Sequence, residues 1–335
     1  MGNRVKVLYI AGFGRSGSTI LGSILGQVEG FAYAGELVEL WDVLATGRVV
    51  CGCGVPVVAC NVWKDVLKEA YGGIRESPIS QMLDFRYGSV PTRALLRTTT
   101  SSAVRIFQQR LAKPLVELEK LYRAIQRVFN CKVIVDSSKY PMYGYTLQLT
   151  EGIDLYVLHL IRDPRASAYS WFARNLTPGG LRWTGQLNPI ASSLMWNYRN
   201  CTMELMSKRF RQRPLCLRYE DLVADPRGSL QRILSLVCEP CPVLPLEDEH
   251  SLNVNIQHTV YGNPNRFTTG KIQIREDHEW ETQMKRRHKI PVTALTWPLL
   301  IKYGYPIRTL QVKDVASIAL ETTNRKSHSL EGLHR

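Results

Sequence analysis

The stretch VKVLYIAGFGRSGSTIL, Val5 to Leu21, constrains the fold of this chain more than any other. Val5 to Gly12 is apolar-rich and ends on glycine, Gly12 to Thr19 spell GFGRSGST, and Ile20, Leu21, Ile24 and Leu25 recur at helical spacing. This predicts a buried strand, a glycine turn and a helix, a corner whose backbone amides and helix N-terminus can close around anionic oxygens. The turn matches G-x-x-x-x-G-K-[ST] at every fixed position but one, because Ser18 stands where the lysine would be. The loop is therefore expected to hold a phosphate that does not need that lysine. Arg15 can fork across phosphate or sulfate oxygens, and Ser18 and Thr19 offer hydroxyl donors.

Two further segments read as buried strands, CKVIVDSSK (Cys131 to Lys139) and DLYVLHLIRDP (Asp154 to Pro164), and both end in polar or charged residues. In an open parallel sheet, ligands bind outside the carboxyl ends of the strands, so all three segments can present side chains to one site. RPLCLRYEDL reads as another strand, followed by a helix with Asp225 as cap and Pro226 in the first turn. Ser101 to Asn130 carries apolar residues at three- and four-residue steps, with a kink expected at Pro114. Alternating strands and helices predict a three-layer α/β domain with a central parallel sheet, a P-loop NTPase-like fold. One domain is expected over residues 1–311, with a helical acceptor-side region at about 45–130 and a polar, frayed tail at 312–335.

A second anion-binding motif is LIRDPRASAYS, Leu160 to Ser170, in which Arg162 leaves a strand end and Ser170 follows two helical turns on. Together, GRSGST and, about 145 residues later, IRDPRASAYS resemble the sulfotransferase superfamily. The donor of that family is 3′-phosphoadenosine 5′-phosphosulfate (PAPS). The resemblance implies that Arg15, Ser16, Gly17, Ser18 and Thr19 bind the 5′ side of the donor and that Arg162 and Ser170 bind its 3′-phosphate. A donor with no γ-phosphate and no required magnesium leaves a Walker lysine nothing to grip.

The resemblance extends to YAGELVEL, Tyr33 to Leu40, where Gly-Glu is similar to the motif that carries the base of tyrosylprotein sulfotransferases and several bacterial relatives. It implies Glu36 as the base, with Glu39 one turn away as second candidate. A carboxylate there can take the acceptor proton as its oxygen attacks sulfur. VIVDSSKYP has two readings. Asp136 can end a Walker B strand and hold magnesium, as in a kinase, or Lys139 can neutralise charge on the oxygen between phosphorus and sulfur, as the resemblance implies. In LRYEDLVADP the resemblance implies that Tyr219 touches the nucleotide. The segment from His258 to Trp280 is similar to the family's late basic loop, with Arg266, Gly270 and Lys271 as candidates.

The expected activity is transfer of the sulfuryl group from PAPS to an acceptor hydroxyl by in-line displacement, with Glu36, Lys139 and Arg15 catalytic and no metal required. A nucleotide kinase and a non-catalytic polyanion-binding protein are the alternatives. The acceptor is expected to be a glycan, a lipid or a small natural product, with Trp63, Tyr71, Phe85 and Tyr87 as candidates to stack on it.

The formal charge of +14 is scattered in short clusters, without a recognisable nucleic-acid module, so no nucleic-acid partner is expected. No apolar run approaches the roughly 20 residues that span a bilayer. The opening MGNRVKVLYIAGFG has no small-residue cleavage site, which predicts a cytoplasmic protein with reduced cysteines and idle sequons at Asn175 and Asn200. Cys51, Cys53 and Cys60 lie close together, and Cys238 and Cys241 form C-x-x-C. A C-x-C with a lone third cysteine is not the paired-knuckle zinc pattern, so packing or a local disulfide is expected, with a metal as the alternative. His159, inside an apolar strand, is expected to be a satisfied core histidine.

Overall fold

The structure, a computed structural model, describes residues 4–90, 101–173, 187–239 and 243–307. The polar tail, Asn175 and Cys241 therefore lie outside the described residues. Strand β1 (Val5–Gly12) runs through the glycine turn into α1 (Ser18–Leu25), β2 (Phe31–Gly35) and α2 (Leu40–Thr46). Helices α3 (Asn61–Tyr71), α4 (Ile79–Ser89), α5 (Ser101–Arg110) and α6 (Ala112–Val128) precede β3 (Val133–Lys139) and α7 (Pro141–Leu149). Then come β4 (Ile153–Ile161), α8 (Pro164–Ala173), α9 (Pro189–Met206), β5 (Leu215–Arg218), α10 (Tyr219–Ala224) and α11 (Pro226–Leu236). The chain continues through β6 (Ser251–Val254), β7 (Gly270–Gln273), α12 (Glu279–Gln283) and α13 (Arg286–Lys302).

Five strands form one sheet in the order β2-β3-β1-β4-β5, and every neighbouring pair is parallel. The β6–β7 pair is a separate antiparallel ribbon. Alternate side chains of β1 enter opposite cores, as the two-residue period of a strand requires. Val5, Val7, Tyr9 and Ala11 pack with residues of α2, α3, α6 and α7, while Leu8 and Ile10 pack with residues of α1 and α11. The sheet is thus covered on both faces, which gives the predicted three-layer α/β architecture with β1 in its middle.

The chain reverses its direction of strand addition at β1, with β3 on one side and β4 on the other. That is the switch point at which open parallel sheets form a crevice. Two register shifts shape its floor: β3 slips against β1 between Tyr9 and Ala11, and β2 slips against β3 between Tyr33 and Gly35. Such bulges re-aim the residues that follow them. Here they direct Lys139, at φ 68°, and the Glu36 that follows Gly35, at φ 85°.

The expected kink at Pro114 takes a different form. The helical region breaks at Leu111, which leaves Pro114 in the first turn of α6, where its missing N–H costs no intrahelical bond. Asp225 caps α11 as predicted, accepting from the Gly228 amide at 2.8 Å. His159 is buried and bonded through Nε2 to Asn200 Oδ1 at 2.8 Å, as expected of a core histidine. Asn200 is itself fully buried.

Candidate functional site

The carboxyl ends of β1, β3 and β4 open into a cleft of about 700 Å³ whose walls include Arg15, Ser18, Glu36, Lys139, Arg162 and Ser170. Gly17, Thr19 and Tyr219 complete the set of sequence-predicted residues that reach it. A second cavity of about 780 Å³ shares Arg162, Tyr219, Glu276 and Asp277 with the first and continues past Arg165, Arg218 and Lys289.

The glycine loop owes its shape to close approaches. A Cβ on Gly14 would lie 2.6 Å from the Trp171 ring, and one on Gly17, at φ 89°, would lie 2.3 Å from the Tyr219 ring. Aromatic side chains from α8 and the start of α10 therefore hold the loop where only glycine fits. Arg15 takes a left-handed conformation at φ 67° and stacks on Trp171 with its guanidinium carbon 4.9 Å from the ring centroid. Ser16 is buried, and its hydroxyl has no hydrogen-bond partner among the described residues. Thr19 Oγ1 accepts from the Asn263 amide at 3.4 Å, which ties the late segment to the start of α1.

Opposite the loop, Arg162 is buried and stacks over Tyr219 at 4.6 Å. Its Nη1 donates to the Arg15 carbonyl at 3.1 Å, its Nη2 pairs with Asp277 Oδ2 at 3.1 Å, and its Nε has no partner among the described residues. Trp196 Nε1 donates to the Arg162 carbonyl at 3.0 Å and anchors the strand end. Arg165, three residues on, is spent on Asp163 in a buried two-point pair and over Trp280.

Glu36 and Lys139 meet on the floor of the cleft, with Oε1 and Nζ 2.5 Å apart. Lys139 Nζ also donates to the Ser137 carbonyl at 3.0 Å, and the Glu36 amide donates to the Tyr261 carbonyl at 3.1 Å. Glu39 points elsewhere. It pairs with Arg86 at 2.6 Å and does not line the cleft, and burial pushes its carboxyl above the ordinary value against the pull of Arg86.

Asp136 is fully buried below this floor. Its carboxylate accepts from the Ser138 amide and hydroxyl at 2.9 and 2.5 Å, from Tyr122 at 2.6 Å and from the Leu37 amide at 3.4 Å. A carboxylate so occupied has no face turned to a magnesium ion, so the geometry favours Lys139 over Asp136 as the residue β3 offers to a ligand.

The late segment differs from the expectation drawn from its resemblance. Lys271 is exposed on β7 and pairs with Glu247 at 3.0 Å, away from the cleft. Arg266 is buried behind the cleft wall and donates to the Val50 carbonyl at 2.7 Å. Arg275 and Asn263 line the cleft in their place, and Trp171 and Asp277 join them. Trp171 could have been noticed beside Ser170, but nothing in the spacing of the late segment marks Asn263, Arg275 or Asp277. Among the aromatic residues expected to meet an acceptor, Trp63 and Phe85 belong to the core cluster, Tyr71 packs against it and Tyr87 is exposed.

Residues 153–240, which carry Arg162, Ser170 and Tyr219, match the model of the Sulfotransferase family. The fold is similar to that of the sulfotransferase domain from the curacin biosynthetic pathway, with 17% identity over 92% of this chain and 100% of that domain and a TM-score of 0.50. The sulfotransferase domain from the Synechococcus PCC 7002 olefin synthase is a further similar structure, with 16% identity over 89% of this chain and 96% of that domain and a TM-score of 0.48. No curated protein sequence matches the chain. The likeness is thus to the sulfotransferase superfamily, in the overall fold and in the segment from β4 through α11. No helix among the described residues is long and apolar enough to cross a membrane.

Proposed function

We propose that the protein is a PAPS-dependent O-sulfotransferase. The observation that carries this reading is the convergence of two anion-binding motifs, Arg15 to Thr19 and Arg162 with Ser170, on one cleft. The residues fit such a donor. The buried Ser16 hydroxyl and Arg162 Nε lack partners among the described residues, and the loop amides and the start of α1 converge beside them. Arg15, Ser16, Gly17, Ser18 and Thr19 would hold the 5′ side, Arg162 and Ser170 the 3′-phosphate, with Tyr219 against the nucleotide. Arg266 and Lys271, which the resemblance also implies, do not line the cleft and have no assigned contact with the donor. The donor supplies an activated sulfuryl group.

The chain's own residues do the rest. Glu36 takes the proton of the acceptor hydroxyl at its free carboxylate oxygen. Lys139 and Arg15 neutralise charge that builds up on the transferred group and on the leaving oxygen. The Glu36–Lys139 pair keeps both side chains on the cleft floor before substrate arrives. The acceptor is a hydroxyl compound such as a glycan, a lipid or a small natural product.

Calorimetry tests the donor site. Adenosine 3′,5′-bisphosphate should bind more tightly than ATP, and Arg162→Ala should weaken that binding by about 10- to 100-fold, the loss of one or two charge-assisted hydrogen bonds. Equal affinity for the two nucleotides, or an unchanged Arg162→Ala variant, refutes the assignment. Asp277 supplies a test of opposite sign. Its carboxylate already holds Arg162 at 3.1 Å and competes with an incoming phosphate, so Asp277→Asn should tighten bisphosphate binding several-fold. Weaker binding in that variant would mean that Asp277 supports the ligand instead.

A further inference from the structure

Cys51, Cys53, Cys60 and His258 are brought together across some 200 residues of chain, and their ligand atoms all lie within 4.8 Å of one another. We propose that they form a structural zinc site, with Cys51, Cys53 and Cys60 as thiolate ligands and His258 Nδ1 as the fourth. Tetrahedral zinc with bonds of about 2.3 Å to sulfur and about 2.0 Å to nitrogen places neighbouring ligand atoms roughly 3.5–3.8 Å apart. The observed separations bracket that range. Cys53 and Cys60 sulfurs are 3.7 Å apart, and His258 Nδ1 lies 3.3 Å from Cys60 and 3.9 Å from Cys51. A two-iron cluster needs its ligands spread across two metal atoms, wider than this set allows.

The surroundings are those of a closed structural site. Cys51 and Cys60 are buried and all three thiols are free. The turn after Cys51 is closed by the Gly54 amide on the Cys51 carbonyl at 2.9 Å, with Gly54 at φ 93°, and by the Cys51 amide on the Val55 carbonyl at 2.7 Å. On the histidine side, Trp63 Nε1 donates to the His258 carbonyl at 3.0 Å and fixes the backbone that carries the ring. Three thiolates around a divalent ion leave one negative charge, and the buried Arg266 guanidinium is anchored beside them on the carbonyl of Val50, the residue before Cys51, at 2.7 Å.

The site explains how the late segment is held over the cleft. His258 begins a run in which the Thr259 carbonyl accepts from Gly52, the Val260 amide donates to Ala34 and the Tyr261 carbonyl accepts from Glu36. A metal at its head would pin the Cys51–Cys60 turn and the Glu36 loop to one another. It would act as a staple and not as a reagent, with all four positions filled by protein.

The test reads metal, so it is independent of the proposed transfer reaction. The full chain, purified without chelator, should contain about one zinc per chain by elemental analysis. Exchange into cobalt should give the intense visible bands of a tetrahedral thiolate complex. Cys51, Cys53 and Cys60 should resist alkylation in the native protein and become reactive together once a chelator removes the zinc. Cys60→Ser and His258→Ala should lose the metal. Because either variant can fail to fold, the alkylation and cobalt experiments on the unaltered chain stand by themselves. Substoichiometric zinc with freely reactive thiols, a disulfide among the three cysteines, bound iron with sulfide, or zinc retained in Cys60→Ser would each overturn the proposal.

Discussion

Glu36→Gln is expected to lower turnover by about 10²–10⁴-fold, the usual contribution of a positioned general base, while bisphosphate affinity changes less than about threefold. The amide keeps the length of the side chain and can still accept from Lys139, so the cleft floor should hold its shape. What it cannot do is take a proton. Turnover should be followed as label moving from radioactive PAPS to whichever member of a panel of phenols, glycosides and hydroxy-lipids the unaltered protein modifies. Glu39 is the control. Its carboxylate is committed to Arg86, so Glu39→Gln should affect thermal stability before it affects the transferred label. Full turnover in Glu36→Gln would rule out Glu36 as the base, and only a collapse of turnover confined to Glu39→Gln would move that role to Glu39.

The part of this site nearest β1 is legible in the sequence because local rules determine it. Apolar runs, glycines and the helical recurrence of Ile20, Leu21, Ile24 and Leu25 specify a βα corner without reference to the rest of the chain. Arg162 and Ser170 follow from the same logic at the end of β4. β2 carries no strand signal of its own, since FAYAG is short, rich in small residues and buried throughout, so it shows no polar alternation. The late segment carries less signal still. Gln273 and Arg275 have the same strand parity as Lys271 yet line the cleft while Lys271 pairs with Glu247, so position along the segment, and not strand alternation, decides which side chain reaches the cleft. The cysteine cluster shows the limit of spacing in another way. Three of its members sit within ten residues of sequence, but His258 is supplied by tertiary structure alone.

The second large effect concerns stability and arises at Asp136. Asp136→Ala is expected to destabilise the fold by about 3–5 kcal/mol, because it strands the Leu37 amide, the Ser138 amide and hydroxyl and the Tyr122 hydroxyl in a dry interior. Asp136→Asn should be far milder. Its amide oxygen can take over the Ser138 bonds, and its NH₂ can donate to Tyr122, whose hydroxyl turns toward Tyr143, 3.3 Å away. The two variants also separate charge from hydrogen bonding. Burial pushes the Asp136 carboxyl up to about 6 from an ordinary 3.8, against the opposing pull of its hydrogen bonds. With the folded value above the unfolded one, its stabilising contribution is complete below about pH 4 and is lost as pH rises through about 6, a swing of about 3 kcal/mol. Denaturant midpoints measured at pH 5 and pH 7.5 should therefore diverge more in the unaltered protein than in Asp136→Asn, where this term is absent. Equal divergence in both would mean that Asp136 is ionised throughout, held charged by its four donors, and that the cost of Asp136→Ala comes from the lost anion as well as from the stranded groups.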